Sequence, residues 1–324
     1  MQGFALQGHQ DASIGLDSYS SSSSLLSSSE DGTARIWDLR TLKAARLIKV
    51  PGGKDNGVGL CRFTPSGGVI LSSSNQLMKF DLRGSDSILI SKPAELVLLD
   101  DEINSFDICK STGRILVPTD SGSLTVLDES LNIINSSAEH RNHSSICNVA
   151  RWMPDGRSAI SGGHDYSISQ WYEKDGKSLA GKKSTNVNLF SEPDGDGPMV
   201  ANPPFVNTLE LAESPSMGKL VIGLGNGSVV VVDAGEDRLS YRNPTLFAFR
   251  HSLSVSGLSW AKYSTCLFWS VGADSVLNLN SIMNAANPSV CISLPSKPND
   301  VHVVDNNTVA VSSVDGAVYL YKSQ

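Results

Sequence analysis

The chain has 324 residues, 40% hydrophobic, 6% aromatic and 18% charged, and 26 basic against 33 acidic side chains give it a net charge of −7. That is a globular composition, long enough for two or three average domains or for one closed all-β architecture. No run of 18 apolar residues supports a membrane span, MQGFALQGH does not read as a signal peptide, and no basic stripe beyond Lys182-Lys183 offers a footprint for nucleic acid.

Taken from the N-terminus, the first element is a short strand at Phe4 to Gln7, followed by His9. Ser27 comes 18 residues after His9, Asp31 four later and Trp37 six later, within LLSSSEDGTARIWD. The run SSSSS at 20 to 24 falls at the hairpin before the Ser27 strand and reads as an elongated turn. Degenerate copies follow, with Phe80 at the tryptophan position in VILSSSNQLMKFDLR and Leu127 there in RILVPTDSGSLTVLD. The offsets 18, 4 and 6 then return in full at His143, Ser161, Asp165 and Trp171. Further copies place Val232, Asn280 and Tyr321 at the tryptophan position, and the sixth keeps His251, Ser270 and Asp274.

Seven units result, their tryptophan-equivalent positions spaced by 43, 47, 44, 61, 48 and 41 residues. A repeat of this length cannot bury its apolar face alone and must stack on its neighbours. Within each unit, alternating residues broken by Gly, Asp and Asn turns every 8 to 12 positions predict short antiparallel strands and no long helix. The single long interval holds an insertion, GKKSTNVNLFSEPDGDGPMVANPP, read as a mobile loop over 181–204.

The Gly8-His9 pair, the Asp31-Gly32 turn and the closing Trp37-Asp38 resemble the signature of the WD-repeat family. DEINSFDI, NHSSICNVARWMPDG and the divergent last three repeats are similar to the WD repeat-containing protein 53 group. The resemblance implies an all-β, seven-bladed propeller over 1–324 with four antiparallel strands per blade and the 181–204 loop between blades 4 and 5. The last repeat ends directly after its Trp-like strand. Phe4 to Gln7 are therefore expected to pair beside Val318 to Tyr321 and close the ring.

Hydrogen-bonding capacity gives the quartets a role. An indole N–H only donates, a hydroxyl does both, and a neutral imidazole does one of each. A chain from Trp37 to Ser27 to His9 to Asp31 follows, repeated by Trp171, Ser161, His143 and Asp165, and it reads as a structural tetrad. Ser, His and Asp are also the residue types of a hydrolase triad. Recurrence with a tryptophan added each time favours structure, so the expectation is no enzyme and no catalytic residue. No cofactor or metal site is expected. GLGNGS lacks the spacing of a phosphate loop, PDGDGP lacks the distant glutamate of a calcium loop, and His140 with His143 is too sparse a ligand set. The five cysteines, at least 25 residues apart, fit buried thiols in a reducing compartment.

Function is then expected on surfaces, with proteins as partners. Residues 25 to 40, LLSSSEDGTARIWDLR, resemble the box shared by WD-repeat receptors of cullin-4 RING ubiquitin ligases. The resemblance implies docking on the damage-specific DNA-binding protein 1 adaptor through Asp31, Trp37, Asp38 and Arg40, with Asp81 and Arg83 one repeat along. It makes the chain a substrate receptor, a monomer within a larger complex of the cytoplasm or nucleus, recruiting an unidentified target. The alternative is a general scaffold of another complex, without ligase contact.

Overall fold

Short alternating runs cut by turn residues leave the backbone little choice but strands. A computed structural model describes the chain except residues 20–22, 84–87, 137–142, 175–177, 188–201, 213–217, 236–238, 263 and 324. The described residues form seven sheets arranged as blades, each built on four antiparallel strands, and the single helical turn among them is Gly53–Asp55. From the centre outward, blade 1 is Ser13–Ser18, Ser24–Ser29, Thr33–Asp38 and Lys43–Lys49, and blade 2 is Cys61–Phe63, Gly68–Ser73, Gln76–Asp81 and Glu95–Leu98. Blade 3 is Asp107–Ile108, Ile115–Pro118, Leu124–Leu127 and Ile133–Ser136, and blade 4 is Cys147–Trp152, Ser158–Gly163, Ser167–Lys174 and Ser178–Asn186. Blade 5 is Val206–Leu211, Lys219–Leu224, Val229–Ala234 and Leu239–Leu246, and blade 6 is Val255–Trp260, Leu267–Gly272, Val276–Ser281 and Val290–Ser293.

Blade 7 takes Pro298–Val303, Thr308–Ser313 and Val318–Lys322 from the C-terminus and its outer strand, Gln2–Leu6, from the N-terminus. The register runs antiparallel from Gln2 opposite Lys322 to Leu6 opposite Val318. The inner strand of blade 7 packs against that of blade 1, so the ring closes as the last repeat's missing strand requires.

The core lies between the blades. Seven buried apolar clusters are present among the described residues, one at each blade-to-blade contact, including Leu6, Leu16, Trp37 and Leu320 where blade 7 meets blade 1. Central strands are thus covered on both faces, which is why Val229 to Val232 form an unbroken apolar run that is wholly buried. Each fully buried Val, Leu or Phe contributes about 1.5–3 kcal/mol. Cohesion therefore resides mainly between blades, while the ladders set register. All seven tryptophan-equivalent residues sit on third strands and are buried, so Phe80, Leu127, Val232 and Tyr321 keep the packing after losing the indole.

The turn from second to third strand needs a residue in the left-handed region, supplied by Gly32, Gly122, Gly227 and Gly316 at φ of 77, 80, 83 and 82°. At Gly227 a Cβ would lie 2.0 Å from the His251 carbonyl oxygen, so the loop leading into the next blade packs on bare backbone there. Blades 4 and 6 put Tyr166 and Ser275 in the same conformation, each at φ 61°.

Each blade has the four antiparallel strands expected, and blade 1 adds a fifth: Leu89–Ile90, from the loop between the third and outer strands of blade 2, pairs in parallel with Leu47 and Ile48. Three apolar residues at 88 to 90 suffice for this pairing, and nothing in the repeat pattern marks it. The supposed loop at 181–204 begins as strand, because 181–186 belong to the outer strand of blade 4, opposite Ser167 to Trp171. An outer strand packs on one side only and need not alternate. Residues 188–201, which include PDGDGP, lie outside the described residues, as do His140 and part of the serine run.

Candidate protein-interaction surface

The tetrads are assembled by loops entering a blade and by its second and third strands. In blade 1, Trp37 Nε1 donates to Ser27 Oγ at 2.8 Å, and Ser27 Oγ lies 2.7 Å from His9 Nε2. With the indole spending its only proton on the serine, the serine proton goes to His9 Nε2, leaving Nδ1–H to face Asp31 at 3.4 Å. Asp31 also accepts from Thr33 Oγ1 at 2.6 Å and from the Gln10 amide at 2.9 Å. Blade 4 repeats the chain through Trp171, Ser161, His143 and Asp165, at 2.8, 2.7 and 3.0 Å.

Blade 6 holds a third network. His251 lies 2.9 Å from Ser270 Oγ and 3.1 Å from Asp274, and Asn280 Nδ2 donates to Ser270 Oγ at 2.9 Å. The amide replaces the indole as donor. Burial alone would raise these carboxyls, but the hydrogen bonds and nearby imidazole outweigh it. Asp31 is held well below the ordinary carboxylate range, Asp165 falls to about 2, and Asp274 is lowered. The hydroxyls of Ser27 and Ser161 are buried and bonded on both sides, so neither is offered to a substrate.

This placement divides the six residues expected to meet an adaptor. Trp37 and Asp31 are buried and committed within the blade, so they act only by holding the third strand. Arg40 and Arg83 are exposed, and both are clipped alike. Asp38 accepts from Arg40 Nε at 3.0 Å, Nη2 at 2.8 Å and the backbone N–H at 3.0 Å. Asp81 accepts from Arg83 Nε at 3.0 Å, Nη2 at 3.0 Å and the backbone N–H at 2.8 Å. The side-chain hydrogen bond from each arginine draws its aspartate down to about 2. A fork–fork pair of this kind fixes the guanidinium plane and leaves its Nη1–Nη2 edge outside the clip. Arg46 of blade 1 donates from Nη1 to the Leu82 carbonyl at 2.7 Å, tying the two clips' blades together.

The central channel opens on the side where inner strands turn into second strands, as a cavity of about 590 Å³. Equivalent inner-strand positions of blades 1 to 5 line it with Asp17, Arg62, Asp107, Arg151 and Glu210, alternating in sign. Asp17 accepts the Phe63 amide at 2.7 Å, Asp107 the Trp152 amide at 2.8 Å and Ser259 the Val303 amide at 3.0 Å, each from the next blade. Burial raises Asp17 and Asp300, and burial with the nearby Lys262, Arg62 and Lys110 charges pushes His302 down to about 3. These side chains staple successive blades.

The WD domain, G-beta repeat family matches residues 2–38 and 135–172. Each match runs from the outer strand of one blade through the third strand of the next, covering a complete tetrad. The fold is a seven-bladed β-propeller, and blades 1 and 4 carry the matched WD repeats. A Dictyostelium discoideum protein described as a WD repeat-containing protein 53 homolog is 24% identical over 268 residues, which cover 80% of this chain and 71% of that protein. The crystal structure of the WD40 beta propeller domain of Doa1 superposes with a TM-score of 0.75 at 15% identity, over 99% of this chain and 96% of that one.

The channel ring of this propeller is not apparent from the repeats. Its one signal in the residues is a charged inner-strand position in blades 1 to 5, set among apolar alternation. The donor role of Asn280 is equally hidden, since an amide matches the indole in its proton and not in residue type.

Proposed function

We propose that this WD-repeat propeller is a protein-interaction scaffold that serves as a substrate receptor, docking on the damage-specific DNA-binding protein 1 adaptor of a cullin-4 RING ubiquitin ligase. The observation that carries the reading is the pair of identical clips on adjacent blades, Asp38 with Arg40 and Asp81 with Arg83. Among the described residues each guanidinium bonds its own aspartate and no neighbouring blade. A clipped guanidinium loses little side-chain freedom on binding, and its outer edge matches a carboxylate or a pair of carbonyls. Asp31 and Trp37 hold the strand, Asp38 and Asp81 orient the forks, and Arg40 and Arg83 make contact.

The test is co-purification and titration of the adaptor against the wild type and an Arg40→Ala, Arg83→Ala variant of unchanged melting temperature. Binding by the wild type and loss in the variant are expected. Equal binding by both would remove the arginines from the interface, and no binding by either would leave a scaffold of some other complex.

A further inference from the structure

The cavity at the channel mouth, about 590 Å³, has the size of a small-molecule site, for which about 300–1,000 Å³ is usual. Its lining joins Arg62, Lys110 and Lys262 to the rings of Tyr19, Phe63 and Trp152. An arginine drawn into a protein wall is ordinarily paired. Arg151, at the same inner-strand position as Arg62 two blades along, faces Glu210 at 3.7 Å, and Arg114 meets Glu173 at 3.0 Å. Arg62 is different. Its Nη1 donates to the carbonyls of Leu16 at 3.0 Å and Cys61 at 2.9 Å, which fixes the guanidinium plane. Among the described residues no carboxylate forms an ion pair with it, and Nε and Nη2 have no acceptor.

The acids around Arg62 are already engaged as staples. Asp17 accepts the Phe63 amide at 2.7 Å, Asp107 the Trp152 amide at 2.8 Å, and Asp300 the amides of Leu16 at 3.2 Å and Val301 at 2.8 Å. Burial also works against the negative charge of Asp17 and Asp300 by raising both. His302 registers the balance. Burial first, and then the charges of Lys262, Arg62 and Lys110, push it down to about 3, so the imidazole is neutral and the charges acting with burial are all positive.

We infer that this cavity binds a small organic polyanion, one with at least two carboxylate or phosphate groups, through the open edge of Arg62 with Lys110 and Lys262 beside it. A guanidinium held at Nη1 presents Nε–H and Nη2–H side by side, the fork that takes two oxygens of one anionic group. A second anionic group meets the lysines, and the carbon frame packs on the Tyr19 and Phe63 rings, whose centroids lie 4.3 Å apart. The site does not depend on the adaptor reading.

Titration calorimetry of the whole chain at low ionic strength tests it, with citrate and pyrophosphate as separate probes. Saturable binding of at least one, with a raised melting temperature, is expected, and the stronger of the two assigns carboxylate or phosphate. Arg62→Gln should weaken binding about tenfold or more, as loss of charge-assisted hydrogen bonds does, whereas Arg40→Ala, outside the cavity, should leave it unchanged. Lys262→Gln is the second variant, expected to weaken binding in the same direction, and it decides alone if Arg62→Gln does not fold. No saturable binding of either probe by the wild type overturns the site, as does wild-type affinity in every folded cavity variant.

Discussion

At the scale of single residues, the buried tetrads show how one hydroxyl sets the position of two rings. Ser161 Oγ receives Trp171 Nε1–H and gives its proton to His143 Nε2. Ser161→Ala leaves both nitrogens in a buried site without partners, and an unsatisfied buried group costs about 1–3 kcal/mol. We therefore expect Ser161→Ala to lower unfolding free energy by about 2–4 kcal/mol in a urea titration, more than the loss of an average hydrogen bond. The aspartates of the exposed clips serve a different end. Asp38 and Asp81 bond their own arginines in solvent, where an ion pair adds little stability but restricts rotamers. Recurrence at fixed offsets made the tetrads of blades 1 and 4 readable in advance. The position of Asn280 follows from the same offsets but its role does not, because only its distance to Ser270 reveals an amide doing an indole's work.

At the scale of elements, strands and turns follow directly from local pattern. The third-strand turn accepts glycine in four blades, and Ser275 occupies the same left-handed position in blade 6. A Cβ there is strained, so Ser275→Gly should raise stability by about 0.5–1 kcal/mol, read as a higher melting temperature. A decrease would mean that the serine side chain contributes more than its backbone costs. Tyr166 is a poorer site for the same change, since its ring stacks on Phe205 at 5.4 Å. The strand at Leu89–Ile90 lies at the opposite extreme of legibility. Two residues carry no period, and the partner edge is in another repeat, so only folding brings them together.

At the scale of the molecule, the match between sequence repeats and blades is offset by one strand, and that offset is what closes the ring. Each repeat lends its outer strand to the blade before it, so the first repeat must complete the last. Removing residues 1–8 strips Leu6 from the blade 7 to blade 1 core and opens both the Val318–Lys322 edge and that blade contact. The truncated chain should melt at a markedly lower temperature and aggregate more readily, measured by calorimetry and light scattering; unchanged melting would mean that the inter-blade cores alone hold the ring. Blade number, strand order, the closing strand and the two full tetrads were already written in residue order, because each rests on periodicity or on groups at constant spacing. Folding alone decided that Trp37 and Asp31 are sealed away while Arg40 and Arg83 stand in solvent, that Asp17, Arg62 and Asp107 form an alternating ring, and that Ile88 and Leu89 sit on a neighbouring blade. Exposure and proximity between distant positions depend on how blades pack face to face, and a one-dimensional pattern carries no measure of that.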